Sequence, residues 1–206
     1  GNWFQVILPA YPLILLGLLP FYQRLQARFD TTPRQRLAVP AVALAALVLA
    51  RWAGVDDRKS GAVGLDFAPL FQSSASLDAA PATLATLLAD ETYRAHLQAR
   101  GVPQPVYIGY AEAGRDGGYL AMRHSAYEAQ RALQAAAAQA GVALRLNHAR
   151  GGNLARGGAR LDALLQAMPP DIADGVLHVT EQGESIGQNY SLRANALRSL
   201  ERAFGV

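Results

Sequence analysis

Apolar and polar positions settle into a regular rhythm from about residue 41 onward. Ala41 to Ala53 is an Ala/Leu/Val run that predicts a helix closed by Gly54, since glycine readily takes the left-handed conformation past a helix end. The polar stretch Asp56 to Gly61 predicts a surface loop. Leu65 to Phe71 alternates like a strand, Leu77 to Ala99 has helical spacing with a break expected around Pro81, and Val106 to Tyr110 is a second strand. Ala111 to Gly118 is expected to be a loop and Tyr119 to Ala140 a long helix closed by Gly141. A third strand follows over 142–147, a helix over Leu161 to Met168, a fourth strand over 176–180 and a last helix over Leu192 to Phe204. Strands alternating with helices imply parallel β-α units. The expected fold is therefore helix-rich α/β with about four parallel strands, a partial (β/α)8 TIM barrel. In such a fold chemistry collects at the C-terminal ends of the strands. Polar residues do gather there: Gln72; Glu112, Arg115 and Asp116; His148, Arg150 and Arg156; Glu181 and Glu184.

Residues 1 to 40 do not share this rhythm and are left as an unassigned apolar segment, with 41–206 as the partial barrel. Trp3 to Tyr22 carries no charge and by length alone could cross a bilayer, but Pro9, Pro12 and Pro20 interrupt it. Arg24, Arg28, Arg34 and Arg36 follow the apolar run, whereas a secretory signal has its basic residues ahead of it. Leu37 to Ala50 is too short to span comfortably and suits a buried helix. A membrane segment, a buried helical extension and a terminus foreign to the fold all stay open for residues 1–40. A start at Gly1 rather than methionine is what a fragment would show.

Composition narrows the chemistry more than the fold. In 206 residues, 51% are hydrophobic and only 17% charged, and the net charge of +3 rests on arginine, Lys59 being the sole lysine. That excess is too weak to argue for nucleic acid, and no nucleic-acid partner is expected. The absence of cysteine excludes disulfides, thiolate nucleophiles and cysteine-based metal sites. It is compatible with the cytoplasmic location expected here.

The stretch richest in chemistry is Asn147 to Gly158, where two Arg-Gly-Gly triplets lie six residues apart directly after a strand. Gly151, Gly152, Gly157 and Gly158 allow close backbone approach and positive φ. Arg150 and Arg156 offer planar donor forks suited to phosphate or carboxylate. An anion site, a structural basic loop and a nucleic-acid-gripping segment are the three readings, and the single pair between strand and helix sets it apart from a long RGG tract.

Ala68-Pro69-Leu70-Phe71-Gln72, Ile108 to Tyr119, Leu146 to Gly152 with Ala155-Arg156-Gly157-Gly158, Met168-Pro169-Pro170, and Val179 to Glu184 are the motifs by which Phe67 to Glu184 resembles the C-terminal barrel region of phosphoenolpyruvate carboxylase. Five motifs in the right order and spacing are highly specific. Val42 to Gly54 also resembles the family's preceding helix, while residues 1–40 resemble nothing in it.

The resemblance implies that phosphoenolpyruvate and bicarbonate give oxaloacetate and phosphate, with Mg2+ or Mn2+ as cofactor. It implies catalytic roles for His148, Arg150 and Arg115, substrate phosphate binding by Arg150, Arg156 and the four loop glycines, and metal binding by Glu112 and Gln72. It also implies a carboxylate effector coupled to the glycine loop, and a homo-oligomer or association with the rest of the barrel. The departures matter. Gln72 stands where the family has glutamate and Glu112 where it has aspartate, so metal binding is expected to be weak or lost, an amide oxygen being a poor ligand for a hard dication. Arg115 replaces a lysine and, unlike it, cannot shed a proton near neutral pH. Asn147 and Ala149 replace the phenylalanine and glycine that flank the histidine, and the family's N-terminal histidine and arginine and C-terminal helices have no counterpart. The expectation is a carboxylase-like domain that needs further parts for activity. The alternative is a non-catalytic anion-binding relic. Glu181 and Glu184 are expected to tether the glycine loop through arginine. Arg123 and His124 are read as a solvated face, and His96 and His178 as structural residues without partners.

Overall fold

The computed structural model describes residues 32–55, 63–170 and 176–205. Four strands form one wholly parallel sheet in the order β1-β2-β3-β4: β1 Leu70–Phe71, β2 Gln104–Gly109, β3 Leu144–Ala149 and β4 His178–Thr180. Around it lie α1 (Thr32–Trp52), α2 (Ser74–Ala89), α3 (Glu91–Arg100), α4 (Ala111–Gln139), α5 (Leu161–Gln166), α6 (Gly183–Tyr190) and α7 (Arg193–Phe204). The helix-rich α/β fold with four parallel strands is as the alternation predicts, and the sheet order follows the chain order as it does around a (β/α) barrel.

Because side chains alternate across a strand, the register sorts the sheet into two faces. Phe71, Ile108, His148 and Val179 form one row; Leu70, Tyr107, Asn147 and His178 form the neighbouring row on the other face. The first face is covered by helices. Phe71, Val106, Ile108 and Leu146 join Leu77, Leu84, Leu87 and Leu88 of α2 and Met122, Ala126, Ala129 and Leu133 of α4 in one core. Packing of α2 on α4 and of α1 on α2 closes that layer. One face of α1 contributes to it: Ala43, Leu47 and Ala50 are buried, whereas Val42, Val48, Leu49 and Trp52 are exposed. The helix runs through Pro40, across the boundary drawn at residue 40.

Several expectations are corrected. Pro81 lies inside α2 without ending it. Burying Leu77, Leu84, Leu87 and Leu88 at roughly 1.5–3 kcal/mol each outweighs the ~3 kcal/mol cost of an internal proline. The break falls instead at Asp90, whose carboxylate caps α3 by accepting from Tyr93 N at 2.9 Å. Ala111–Gly117 is helical rather than a loop, and only Gly118 (φ 77°) interrupts α4. The first strand shrinks to two residues because side chains take the Leu65 and Phe67 carbonyls ahead of it, while Pro69 O accepts from Tyr107 N of β2 at 2.9 Å. Gln104 Nε2 donates to Phe67 O at 2.8 Å, His96 Nε2 bonds Leu65 O at 3.0 Å and Arg100 pairs with Asp66 at 2.8 Å. His96 thus has a partner, and its ring also meets Phe67 at 5.8 Å. The Asp56–Gly61 stretch and Trp3 to Tyr22 lie outside the described residues. Among the described residues no helix is long and apolar enough to cross a membrane.

Candidate anion site at the strand ends

The parallel sheet delivers the predicted residues to one rim but gathers them in three groups. At the ends of β1 and β2, Gln72 Nε2 donates to Glu112 Oε1 at 2.7 Å, and Gly109 makes room for this pair: a Cβ on Gly109 would lie 2.5 Å from Gln72 Cβ. Arg115 is largely exposed, 3.9 Å from Glu112, and Asp116 accepts from Ser74 N at 3.0 Å. With a carboxylate oxygen at 2.7 Å only the amide NH2 of Gln72 can face Glu112, so the amide oxygen is turned from it. One carboxylate and one amide donating to it do not suit a hard dication, which asks for several converging oxygens. Among the described residues no group of three His, Asp or Glu could hold a metal.

His148 forms the second group. It is fully buried on the helix-covered face, its Nδ1 2.7 Å from Tyr110 OH, with the two rings stacked at 22° and 6.1 Å between centroids. Burial, with Arg150 and Arg123 nearby, lowers its pKa to about 4, so the ring is neutral near pH 7. Burial likewise pushes the Tyr110 hydroxyl up to about 12. Arg123 lies over the Tyr110 ring, 6.0 Å from its centroid, so it is part of this stack and not merely a solvated face. His148 borders a small cavity of about 190 Å³ with Arg145 and His178, separate from the pocket beside Arg150.

The glycine loop is the third group. After β3 the chain makes a short 3-10 turn, Leu154–Arg156, capped by Asn153, whose side chain accepts from Arg156 N at 3.1 Å. Of the four loop glycines only Gly157 takes positive φ, at 78°; the other three are needed for close approach. A Cβ on Gly158 would sit 2.7 Å from Asn153 and Gly151 backbone atoms, and one on Gly152 would run into the Glu184 carboxylate. Glu184 accepts from Gly152 N at 3.1 Å and from Arg156 Nη2 at 2.5 Å, the tether expected of it. Arg150 is 5% exposed; Nε donates to Gly157 O at 3.1 Å, Nη2 donates to Ala159 O, and Nη1 is buried without a hydrogen-bond partner among the described residues. No carboxylate lies within ion-pair distance of Arg150 among the described residues, and burial depresses its pKa against the more distant pull of Glu181. The pocket beside the loop has a volume of about 660 Å³; Arg150, Arg160, Arg202 and Glu181 line it, and Arg160 is itself paired with Asp162 at 2.7 Å.

Sequence reasoning did not find Tyr110, Arg123 or the pocket residues supplied by α6 and α7. Tyr110 follows its strand directly and stands at the same two-residue spacing from Ile108 as His148 does from Leu146, which was the available signal.

Parallel β-α units with a glycine- and arginine-rich loop at their C-terminal rim define a barrel-type α/β protein. A family model of phosphoenolpyruvate carboxylase matches residues 38–205. A phosphoenolpyruvate carboxylase from Xanthomonas euvesicatoria is 49% identical over 163 residues, covering 79% of this chain and 18% of the relative. Those from Rhodothermus marinus and Thermosynechococcus vestitus are each 38% identical, over 67% and 77% of this chain and 15% and 16% of their own lengths. The chain belongs to the phosphoenolpyruvate carboxylase family. It spans less than a fifth of the length of these curated relatives.

Proposed function

We propose that this chain carries the phosphate-holding part of a phosphoenolpyruvate carboxylase, acting with further residues of such an enzyme. The reaction runs from phosphoenolpyruvate and bicarbonate to oxaloacetate and phosphate. A bicarbonate oxygen attacks phosphorus, the bond from phosphorus to the enol oxygen breaks, and carboxyphosphate and an enolate form. Carboxyphosphate then releases carbon dioxide and phosphate, and the enolate carbon captures the carbon dioxide. The part played here is to hold the transferring phosphoryl group and keep it from water.

The observation that carries this reading is Arg150: a guanidinium buried to 5% exposure with no ion-pair partner among the described residues, bordering an arginine-rich pocket. A buried unpaired charge is costly, and an anion in the pocket offsets that cost. Arg150 fixes the loop from behind through Gly157 O and Ala159 O, while Arg156, which stands outside the pocket lining and is held by Glu184, must leave that carboxylate and swing inward to fork onto the phosphoryl oxygens. A carboxylate effector presents the same oxygen geometry and would compete for the pocket. The second reading, an anion-binding relic without turnover, is favoured by one observation: the Gln72–Glu112 hydrogen bond stands where a metal would need converging oxygens.

Titration with phosphoenolpyruvate tests the proposal. Affinity should fall with added salt, and Arg156→Ala should weaken binding about tenfold or more, the loss of a charge-assisted contact worth roughly 1.5–3 kcal/mol. Arg156→Lys should recover only part. Equal affinity of wild type and Arg156→Ala removes the phosphate site from this loop.

A further inference from the structure

One side chain joins two of the groups described above. Tyr110 is 1% exposed and stands between β2 and α4; its hydroxyl meets His148 Nδ1 at 2.7 Å, and its ring lies directly beneath Gly157 of the glycine loop. A Cβ at Gly157 would lie 2.5 Å from Tyr110 Cγ, so loop and ring are in contact with no space between them. We propose that Tyr110 is the positioning residue of this site: its hydroxyl donates to His148 Nδ1 and fixes the imidazole as the Nε2–H tautomer, while its ring sets the height of the loop.

The tautomer follows from donor counting. The buried phenol has one proton to give, and among the described residues the only acceptor at hydrogen-bond distance is His148 Nδ1. If Nδ1 carried the ring proton, the phenol proton and the bare Nε2 lone pair would both be buried without partners; with Nε2–H only one group is left over, and Nε2 is the ring atom that lacks a partner among the described residues. The charged groups facing the pair are Arg123 from α4 and Arg150 from the end of β3. Both disfavour imidazolium, so the ring presents a fixed neutral donor. The role in ligand binding rests on the anion-site reading above; the tautomer does not.

Histidine-selective 15N NMR of the unliganded chain tests it. The chain has four histidines, and the His148 signals are identified by their loss in His148→Gln. Near neutral pH the wild type should show a pyridine-type Nδ1 and a pyrrole-type Nε2. Tyr110→Phe, which keeps the ring under Gly157, should move Nδ1 toward the protonated or averaged position while leaving a cooperative thermal transition. A pyrrole-type Nδ1 in wild type overturns the proposal, and so does an unchanged His148 spectrum in Tyr110→Phe. The wild-type spectrum decides even if the variant does not fold. Because no ligand is present, failure here is distinct from failure of the phosphate titration.

Discussion

Gly157→Ala is the perturbation whose magnitude the structure defines best. Gly157 sits at φ 78° as the left-handed cap of the 3-10 turn, a conformation that costs an alanine about 1–2 kcal/mol. The added methyl would lie 2.5, 2.6 and 2.8 Å from Tyr110 Cγ, Cβ and Cδ2, against a comfortable carbon–carbon separation of about 3.5–4.0 Å. Loop or ring must therefore move by roughly 1 Å. The ring has little room to yield, being buried and bonded to His148, and overpacking of this kind costs typically 1–3 kcal/mol. The two contributions give about 2–5 kcal/mol. They fall on the loop held by Arg150 through Gly157 O, so urea unfolding should show lowered stability and phosphoenolpyruvate titration a weakened site. Gly183→Ala is the control, since nothing lies within 4 Å of a Cβ there and φ is not positive. A Gly157→Ala chain that matches wild type in both urea midpoint and ligand affinity would refute the packing of loop on ring.

Three other outcomes follow from the same contacts. Gln72→Glu should bind Mg2+ or Mn2+ more tightly by on the order of 1–4 kcal/mol, because a second carboxylate replaces the amide that now donates to Glu112; equal affinities in calorimetry would remove residue 72 from any metal site. His148 has its folded pKa lowered from 6.5 to about 4, so its stabilising contribution is complete above pH ~6.5 and is lost as pH falls toward 4. That amounts to roughly 3 kcal/mol between those limits, and His148→Gln should flatten this part of the stability–pH curve; an unchanged slope would contradict the buried neutral ring. The sheet leaves β1 and β4 as edges, and Leu197, Leu200 and Phe204 are exposed along α7, so the chain should associate at high concentration, which a strictly monomeric scattering profile would exclude.

The parallel sheet was legible because β2 contains an apolar run and β3 begins in an alternating one, and each of β2, β3 and β4 is followed within three residues by a charged side chain. The glycine loop was legible from its two Arg-Gly-Gly triplets. Less of the local structure could be read, for reasons that lie in tertiary contacts. Ala111–Gly117 is helical although it holds two glycines; Gly114 backs directly onto the Ala155 carbonyl, so its glycine marks a tertiary contact rather than a loop. The missed helix α6 contains Gly183, Gly187 and Asn189, all weak helix formers, and buries only Ser185. The strand over 65–69 is absent because Gln104 and His96 take the Phe67 and Leu65 carbonyls from elsewhere in the chain. In the site, sequence named Arg150 and Arg156 together, but only the fold separates their surroundings: one buried against carbonyl oxygens, the other paired with Glu184 at the surface.

A crystal structure of the chain with a phosphonate analogue of phosphoenolpyruvate, at a concentration that saturates the titration, tests the central claim most directly. The account predicts phosphonate density against the glycine loop, with the Arg156 guanidinium moved off Glu184 and onto the phosphonate oxygens. Density elsewhere on the molecule, with the 2.5 Å Arg156–Glu184 pair intact at saturation, would contradict it.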